Sequence, residues 1–155
     1  MRLTIIAAGR IKGAPEGALF ETYQTRLKSA PASLGPLTCH EIDERKSATH
    51  TAHAYEERLN ALSGGATLIA LDERGAELST RALADKLSAW RDQSIPEIAF
   101  VIGPADGLPP AIKSRASFAL RLGALTWPHL LVRAMLAEQL YRAASLLSGH
   151  PYHRE

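Results

Sequence analysis

Short, continuous runs of apolar residues alternate along the chain with longer stretches in which apolar residues recur at helical spacing. The clearest runs are Leu3–Ala8, Thr67–Leu71 and Ile98–Ile102, which are rich in β-branched residues and are followed by Gly or turn-forming residues. Runs of this length and composition are typical of strands that are buried on both faces of a sheet. Two weaker runs, Leu37–Ile42 and Phe118–Leu122, complete a set of five predicted strands.

The intervening stretches predict helices, because their apolar residues return every three or four positions and so share one face. A short helix is expected from Pro109-Pro110 and a long one after Pro128, since proline is favoured at helix starts. Three other helices have predicted buried faces: Leu19, Tyr23 and Leu27 within Glu16–Lys28; Ala52, Tyr55, Leu59 and Leu62 between about Thr49 and Gly64-Gly65; and Leu83, Leu87 and Trp90 after a cap at Ser79 or Thr80.

The order of these elements is a strand followed by a helix, repeated five times. Such alternation, with central strands that are apolar on both faces, predicts an α/β fold in which helices cover both sides of a largely parallel sheet. The 155 residues contain no internal repeat and no linker-like tract, so we expect residues 1–155 to form a single domain.

Composition narrows the class of protein only slightly. One cysteine, Cys39, excludes an intramolecular disulfide and fits a reducing compartment. The N-terminal apolar run is too short for a signal peptide, and no stretch approaches the ~20 apolar residues that span a bilayer. We therefore expect a cytoplasmic protein without a membrane partner. The net charge of +2 permits an RNA partner without requiring one.

Three predicted loops lie where ligands usually bind in open α/β sheets, outside the carboxyl ends of strands. They are the turn Leu71–Gly75, the loop Gly103–Leu108 and the loop Leu122–Pro128. Gly103 lacks a Cβ and so allows a ligand to approach the backbone, although the same residues also fit ordinary turn chemistry. No strand is followed by GxGxxG or a P-loop pattern, which disfavours ordinary nucleotide-binding folds.

The sequence gives little support for a metal site or for a nucleophilic cysteine. The pairs His50/His53 and His150/His153 have HxxH spacing, but no Cys pair or carboxylate set accompanies them, so we predict no metal. Cys39 lies in a predicted strand and is interpreted as a small core residue, not a nucleophile.

The C-terminal helix is apolar around most of its circumference. Glu138, Arg142 and Ser145 share one narrow polar face, and leucine, valine and methionine occupy most of the remainder. A helix of this kind is buried. We expect it to pack on the sheet with one side and on a second copy of the chain with the other, in a two-fold symmetric homodimer. The alternative is a monomer that supplies covering layers on both sides of this helix.

The tail that follows, His150–Glu155, has two interpretations. It can be a frayed terminus. It can also reach into a site, where His153 would exchange a proton near neutral pH, Arg154 would bind phosphate or carbonyl oxygens, and Tyr152 would stack on a base.

Four segments, in this order and spacing, resemble the RlmH family of ribosomal RNA large subunit methyltransferases, which belongs to the SPOUT superfamily. They are LDERG (71–75), FVIGPADGL (100–108), LTWPHLLVRAMLAEQLYRA (125–143) and GHPYHRE (149–155). The resemblance implies an α/β knot with a threaded C-terminal segment. It also implies a homodimer with the active site at the subunit interface, and methyl transfer from S-adenosylmethionine to N3 of a pseudouridine in the large-subunit rRNA of the assembled ribosome.

The resemblance also implies roles for individual residues, without a metal and without a DNA partner. The cofactor pocket would be formed by Leu71, Gly103, Leu122, Gly123, Ala124, Leu125, Thr126 and Trp127. His153, Arg154 and Tyr152 would be catalytic, and His129, Arg142, Tyr152 and Arg154 would handle the substrate. Pro104 departs from the family, which usually has a glycine there, and Trp127 replaces what is often a smaller apolar residue.

Two other functions stay open at this point. A related knotted enzyme would bind the cofactor but methylate a different RNA. A non-catalytic ribosome-binding protein would lack a closed cofactor pocket.

Overall fold

Strands and helices alternate along the chain in the computed structural model. The structure describes residues 1–30, 32–43 and 52–152, and it describes the side chains of all these residues except 52–55. The elements are β1 (Arg2–Ala8), α1 (Pro15–Lys28), β2 (Leu37–Ile42), α2 (Ala52–Ser63), β3 (Thr67–Glu77), α3 (Thr80–Asp92), β4 (Glu97–Ile102), α4 (Pro110–Arg115), β5 (Phe118–Arg121) and α5 (His129–Leu147). The residues expected to begin α2, from about Thr49, lie outside the described residues.

The five strands form one sheet in the order β2-β1-β4-β3-β5, and every pair of neighbours is parallel. The central strands are buried on both faces: Leu3 and Ile5 of β1 and Phe100 of β4 face one core, and Ile6 and Val101 face the other. These continuous apolar runs can be buried because helices cover both faces of the sheet. The predicted α/β fold class is confirmed.

The helices divide between the two faces of the sheet. Residues of α1, α3 and α5, among them Phe20, Leu87 and Leu140, share one core. Leu59 of α2 and Ile112 of α4 share the other. The Ser79 side chain accepts a hydrogen bond from the backbone N–H of Ala82 and caps α3, as predicted. No helix among the described residues is long and apolar enough to cross a bilayer.

Helix α5 packs on the sheet between α1 and α3. Its buried face consists of Arg133, Ala134, Leu136, Ala137, Leu140, Ala143, Ala144 and Ser145. Ser145, which was assigned to the narrow polar face with Glu138 and Arg142, is buried, because the small residues around it allow α5 to pack closely. Helices α1 and α3 supply part of the covering that a monomer would need.

The predicted buried face of α1 was also partly wrong. Leu27 is buried, but Leu19 is 45% exposed, and Gly17 and Phe20 are buried instead. Gly17 lies so close to the loop before the helix that a Cβ there would meet the carbonyl oxygen of Ile11 at 3.0 Å. This close approach rotates α1 so that the face containing Gly17 and Phe20, and not Leu19, packs on the sheet.

Strand β3 continues past Leu71, where a turn was expected, and runs to Glu77. The pairing with β5 shifts on the way, because Leu71 and Ala76 both lie opposite Leu120. The residues between them therefore bulge against β5. A Cβ on Gly75 would meet the carbonyl carbon of Ala119 at 2.7 Å, so only glycine fits this crossing without movement of the backbone.

Candidate active site

The sheet register brings the three predicted cofactor loops to one place. Leu71 is paired with Ile102 on one side, and Gly103 follows Ile102 directly. On its other side Leu71 is paired with Leu120, two residues before Leu122. Because all three strands are parallel, Leu71, Gly103 and Leu122 lie together at the carboxyl edge of the sheet, where α/β proteins bind ligands.

Asp72, directly after Leu71, fixes the β3 bulge. Its carboxylate accepts a hydrogen bond from the backbone N–H of Arg74 (2.9 Å) and forms a 2.6 Å ion pair with Lys113 of α4. The hydrogen bond from Lys113, with that from Arg74, holds the pKa of Asp72 below its ordinary value. Asp72 is thus ionised at neutral pH and connects the bulge to α4.

Gly103 is required by the packing of its own loop. A Cβ at this position would meet the backbone nitrogen of Leu108 at 2.9 Å and the carbonyl carbon of Gly107 at 3.0 Å. The loop is closed by a hydrogen bond from the N–H of Gly107 to the carbonyl of Pro104 (2.9 Å). Pro104 is the first residue of this turn, where no N–H donor is needed, so the turn accommodates it. The geometry matches the turn-chemistry interpretation of this loop.

The third loop is closed by Trp127. Its indole Nε1–H donates a 2.9 Å hydrogen bond to the carbonyl of Leu122, and Gly123 provides a positive φ of 92° inside the loop. Leu125 is 71% exposed at the tip of this loop, and Ala124 and Thr126 are exposed beside it. The predicted cofactor loop is therefore a closed turn that presents apolar side chains outward.

A cavity of about 410 Å³ opens next to this loop, between α1, α5 and the end of β3. From the predicted cofactor residues, only Leu122 and Gly123 line it; Leu71, Gly103, Ala124, Leu125, Thr126 and Trp127 do not. Its walls are largely apolar, and its lining consists of Leu19, Tyr23, Glu77, Leu78, Ser79, Leu83, Leu120, Arg121, Leu122, Gly123, Ala134, Met135, Glu138 and Gln139. A pocket of this size and composition, with few polar groups, is typical of small-molecule sites.

The polar side chains at the rim of the cavity are joined by an ion pair and by hydrogen bonds. Arg121 forms a 2.5 Å ion pair with Glu77. Gln139 accepts a hydrogen bond from the Thr80 hydroxyl (2.9 Å) and donates one to Glu138 (2.7 Å). These contacts fix the orientation of the polar rim.

The end of the described chain is docked, not frayed. The Tyr152 hydroxyl is hydrogen-bonded to the hydroxyl of Tyr23 (3.2 Å) and donates to the Glu138 carboxylate (3.1 Å). Glu138 also accepts a 2.8 Å hydrogen bond from Arg142 Nε, one turn further along α5. Burial and these hydrogen bonds raise the pKa of Tyr152, so its hydroxyl remains protonated. His153 and Arg154, the other predicted catalytic residues, lie outside the described residues.

The predicted substrate residues are not all brought together within one chain. Arg142 and Tyr152 are in contact, and the Arg142 guanidinium lies 4.9 Å from the centre of the Tyr152 ring. His129 begins α5, thirteen residues before Arg142, which at ~1.5 Å per residue separates them by about 20 Å. His129 instead lies beside the loop closed by Trp127.

Arg133 is a buried residue whose role was not predicted from the sequence. It is 0% exposed, and its guanidinium donates hydrogen bonds to the carbonyls of Ala8 and Gly9 and to the carboxylate of Glu41 (3.0 Å). It therefore attaches α5 to the carboxyl ends of β1 and β2. The only signal in the sequence was one arginine on a helix position surrounded by apolar residues.

Cys39 is half-buried in β2 and packs against the core. Burial raises its thiol pKa from 9.0 to about 11, so the thiol is protonated at neutral pH, in keeping with a core role. Among the described side chains, no group of three or more His, Cys, Asp and Glu residues is arranged to hold a metal ion. The His50/His53 pair lies outside those side chains.

Comparison with known proteins places these features in a family. Residues 1–153 match the family model described as predicted SPOUT methyltransferase. The ribosomal RNA large subunit methyltransferase H of Ruegeria pomeroyi is 46% identical over 156 residues, which cover 99% of each chain. The enzyme of the same name from Rhodospirillum centenum is 48% identical over 157 residues, again 99% of each chain.

A solved structure of another protein shares the fold of this chain. It is described as a probable methylase family protein from Haemophilus influenzae and superimposes with a TM-score of 0.59 at 13% identity, covering 99% of this chain and 70% of the other. The chain therefore belongs to the ribosomal RNA large subunit methyltransferase H family, and its fold is the knotted α/β fold of the SPOUT methyltransferases.

Proposed function

We propose that this protein transfers a methyl group from S-adenosylmethionine to large-subunit ribosomal RNA, and that the acceptor is N3 of a pseudouridine in the assembled ribosome. The observation that carries the proposal is the meeting of Leu71, Gly103 and Leu122 at one edge of the sheet, beside an apolar cavity, in a chain of this family. An enzyme acting on ribosomes would work in the cytoplasm.

The residues present fit the cofactor. The β3 bulge and the loops after β4 and β5 offer apolar side chains and backbone groups, which suit an adenine ring, and we assign Leu71, Gly103 and residues 122–127 to its binding. The adjoining cavity has room for the rest of the molecule, and its rim carries both acidic and basic groups, Glu77 and Arg121, that suit an amino acid end. The bound cofactor would supply an electrophilic methyl group on a sulfonium.

The chain itself must orient the nucleoside and manage one proton. The N3–H of pseudouridine is weakly acidic, so a base or a stabiliser of the anion is needed beside it. We assign proton acceptance or orientation to His153 and neutralisation of a carbonyl or phosphate oxygen to Arg154. Tyr152 is protonated and cannot serve as the base; we assign it to binding, with Arg142 and His129 as further substrate contacts.

A homodimer would complete the site. Arg142 and His129 lie about 20 Å apart along α5 in one chain. If two copies cross near the middle of α5 about a two-fold axis, the helices run in opposite directions, and the Arg142 end of one copy approaches the His129 end of its partner. The exposed Leu19 and the apolar cavity wall on this side of the molecule support such a contact.

Size-exclusion chromatography with light scattering is expected to give twice the 16.8 kDa chain mass at micromolar concentration. A monomeric mass under these conditions would contradict the dimer and the shared site.

The proposed reaction is tested with labelled cofactor and ribosomes from a strain that lacks this methylation. Digestion to nucleosides and mass spectrometry are expected to show one new N3-methylated pseudouridine per large subunit. Label on another nucleoside or RNA would support the enzyme with a different substrate. Absence of cofactor binding by calorimetry would support a non-catalytic ribosome-binding protein.

A further inference from the structure

Tyr152 is held by residues of two helices, although it lies beyond the end of α5. We propose that Glu138 is a positioning residue that, through Tyr152 and together with Tyr23 and Arg142, fixes residues 148–152, the C-terminal segment, for the methyl-transfer reaction. We call these four residues the C-terminal latch. This inference rests on the proposed function and assigns Glu138 and Tyr23 a role in it.

Glu138 is the centre of the latch. One oxygen of its carboxylate accepts hydrogen bonds from the Tyr152 hydroxyl (3.1 Å) and from Nε and Nη2 of Arg142. The other oxygen accepts from the Gln139 side chain (2.7 Å). A carboxylate with this many donors is fixed in orientation, and hydrogen bonds to a charged acceptor are stronger than neutral ones. Glu138 thus has more partners than a simple helical ion pair with Arg142 would require.

Aromatic rings and a second arginine extend the contact to α1. The Tyr152 ring lies edge-on to the Tyr141 ring, with centres 4.8 Å apart. The Arg26 guanidinium lies 5.3 Å from the centre of the Tyr23 ring, 5.6 Å from that of Tyr141 and 5.8 Å from that of Tyr152. Cations at these distances are attracted to ring faces. Tyr152 is therefore held on its hydroxyl and on its ring.

The chain between α5 and Tyr152 is also ordered by local hydrogen bonds. Gly149 ends the helix with a positive φ of 69°, and the N–H of His150 donates to the carbonyl of Ser145 (2.9 Å). The N–H of Tyr152 donates to His150 Nδ1 (3.2 Å). His153 follows Tyr152 directly in the sequence. Fixing Tyr152 before substrate binds gives His153 a fixed point of attachment, and ordering paid for in advance favours reaction.

The first experiment separates positioning from stability. Tyr152→Phe and Tyr23→Phe remove only a hydroxyl and keep both rings. Each is expected to lower kcat of ribosome methylation about five- to tenfold, with cofactor Kd and Tm little changed. Tyr152→Phe loses the hydrogen bond to the charged Glu138 carboxylate, and Tyr23→Phe loses the bond between the two hydroxyls. A residue with only a structural role would instead lower Tm and cofactor affinity together and leave kcat of the folded fraction unchanged.

Glu138 is tested through its coupling to Tyr152. Glu138→Ala is expected to lower kcat more than Glu138→Gln, because the glutamine carbonyl can still accept from Tyr152. Adding Tyr152→Phe to Glu138→Ala is expected to have little further effect, since both changes break one contact. If the effects of the two changes on kcat multiply in full, the two residues act independently and the proposal is overturned. Should the Glu138 variants fail to fold, the proposal is tested by Tyr152→Phe and Tyr23→Phe alone.

A second readout does not depend on methylation. Carboxypeptidase Y releases C-terminal residues, and mass spectrometry follows the loss. Tyr152→Phe and Tyr23→Phe are expected to accelerate release about tenfold over the unmodified chain, because the segment detaches more often. Glu97→Gln is the matched control: Glu97 has comparable partners, Arg2 and Thr4, but it begins the central strand β4, and its loss should not change release.

The two readouts keep the two proposals apart. Accelerated release from the tyrosine variants, together with an unmodified protein that does not methylate ribosomes, would support the latch and refute the proposed reaction. Normal release in the tyrosine variants, with an active unmodified enzyme, would overturn the latch and leave the reaction in place.

Discussion

Deletion of Tyr152 to Glu155 is expected to abolish detectable ribosome methylation, with a fall in kcat of about 10²- to 10⁴-fold, the usual contribution of a general acid–base group. The deletion removes His153 and Arg154, to which we assign proton handling and charge neutralisation, together with their anchor. It leaves the strand-end loops intact, and Tyr152 itself does not line the cavity, although its partners Tyr23 and Glu138 do. Binding of S-adenosylmethionine, measured by calorimetry, should therefore persist, and so should the dimer mass.

A shorter deletion distinguishes chemistry from anchoring. Removal of residues 153–155 alone preserves Tyr152 and its contacts with Tyr23 and Glu138. If His153 and Arg154 carry the chemistry, this deletion is as inactive as the longer one, with an unchanged Tm. Unaltered turnover in either truncated protein would remove the tail from the mechanism.

Replacement of Arg133 by methionine is expected to lower the free energy of unfolding by about 3 kcal/mol, near the lower end of what breaking a buried ion pair costs. The lower end applies because Glu41 is 30% exposed and can be solvated by water. The carbonyls of Ala8 and Gly9 would each lose a donor as well. Urea denaturation measures the change directly, and a fall in Tm of about 6–12 °C should accompany it in a chain of this length.

Arg2→Met is the control for this substitution. Arg2 also pairs with a carboxylate, Glu97, but its side chain is 68% exposed, so its loss should cost about 1 kcal/mol or less. Equal destabilisation by the two substitutions would contradict the view that Arg133 connects α5 to the sheet.

The parts of the fold that could be predicted from the sequence are those in which burial depends on local pattern. Leu3–Ala8 and Ile98–Ile102 are apolar at every or nearly every position, and only a strand between two helical layers buries both faces of such a run. The cap at Ser79 is similarly local, because its partner Ala82 is three residues away. Local rules therefore identified the element types and the parallel sheet.

The errors arose where the close approach of another stretch of backbone decides the packing. Leu19 is exposed because Gly17 approaches Ile11, and β3 bulges because Gly75 crosses the backbone of Ala119. Helical periodicity contains no information on either approach. Threading of a chain through its own loop is equally invisible to periodicity, so the knot followed from the resemblance alone.

The candidate site also contains some residues that could be predicted from the sequence and others that could not. The rule that ligands bind at the carboxyl ends of parallel strands identified Leu71, Gly103 and Leu122, which the register places together. The contact of Tyr152 with Tyr23 and those of Arg133 with the carbonyls of Ala8 and Gly9 could not be predicted, because each joins residues more than a hundred positions apart.

The state of Cys39 has a practical consequence for spectroscopy. Its thiol pKa of about 11, against 9.0 for an unperturbed thiol, reduces the reactive thiolate about 100-fold at neutral pH. Maleimide dyes should therefore label a cysteine introduced at exposed Ser148 far faster than the native one. The natural chain can thus carry a fluorophore next to its C-terminal segment without first being made cysteine-free, and movement of that segment on the ribosome becomes observable in single molecules.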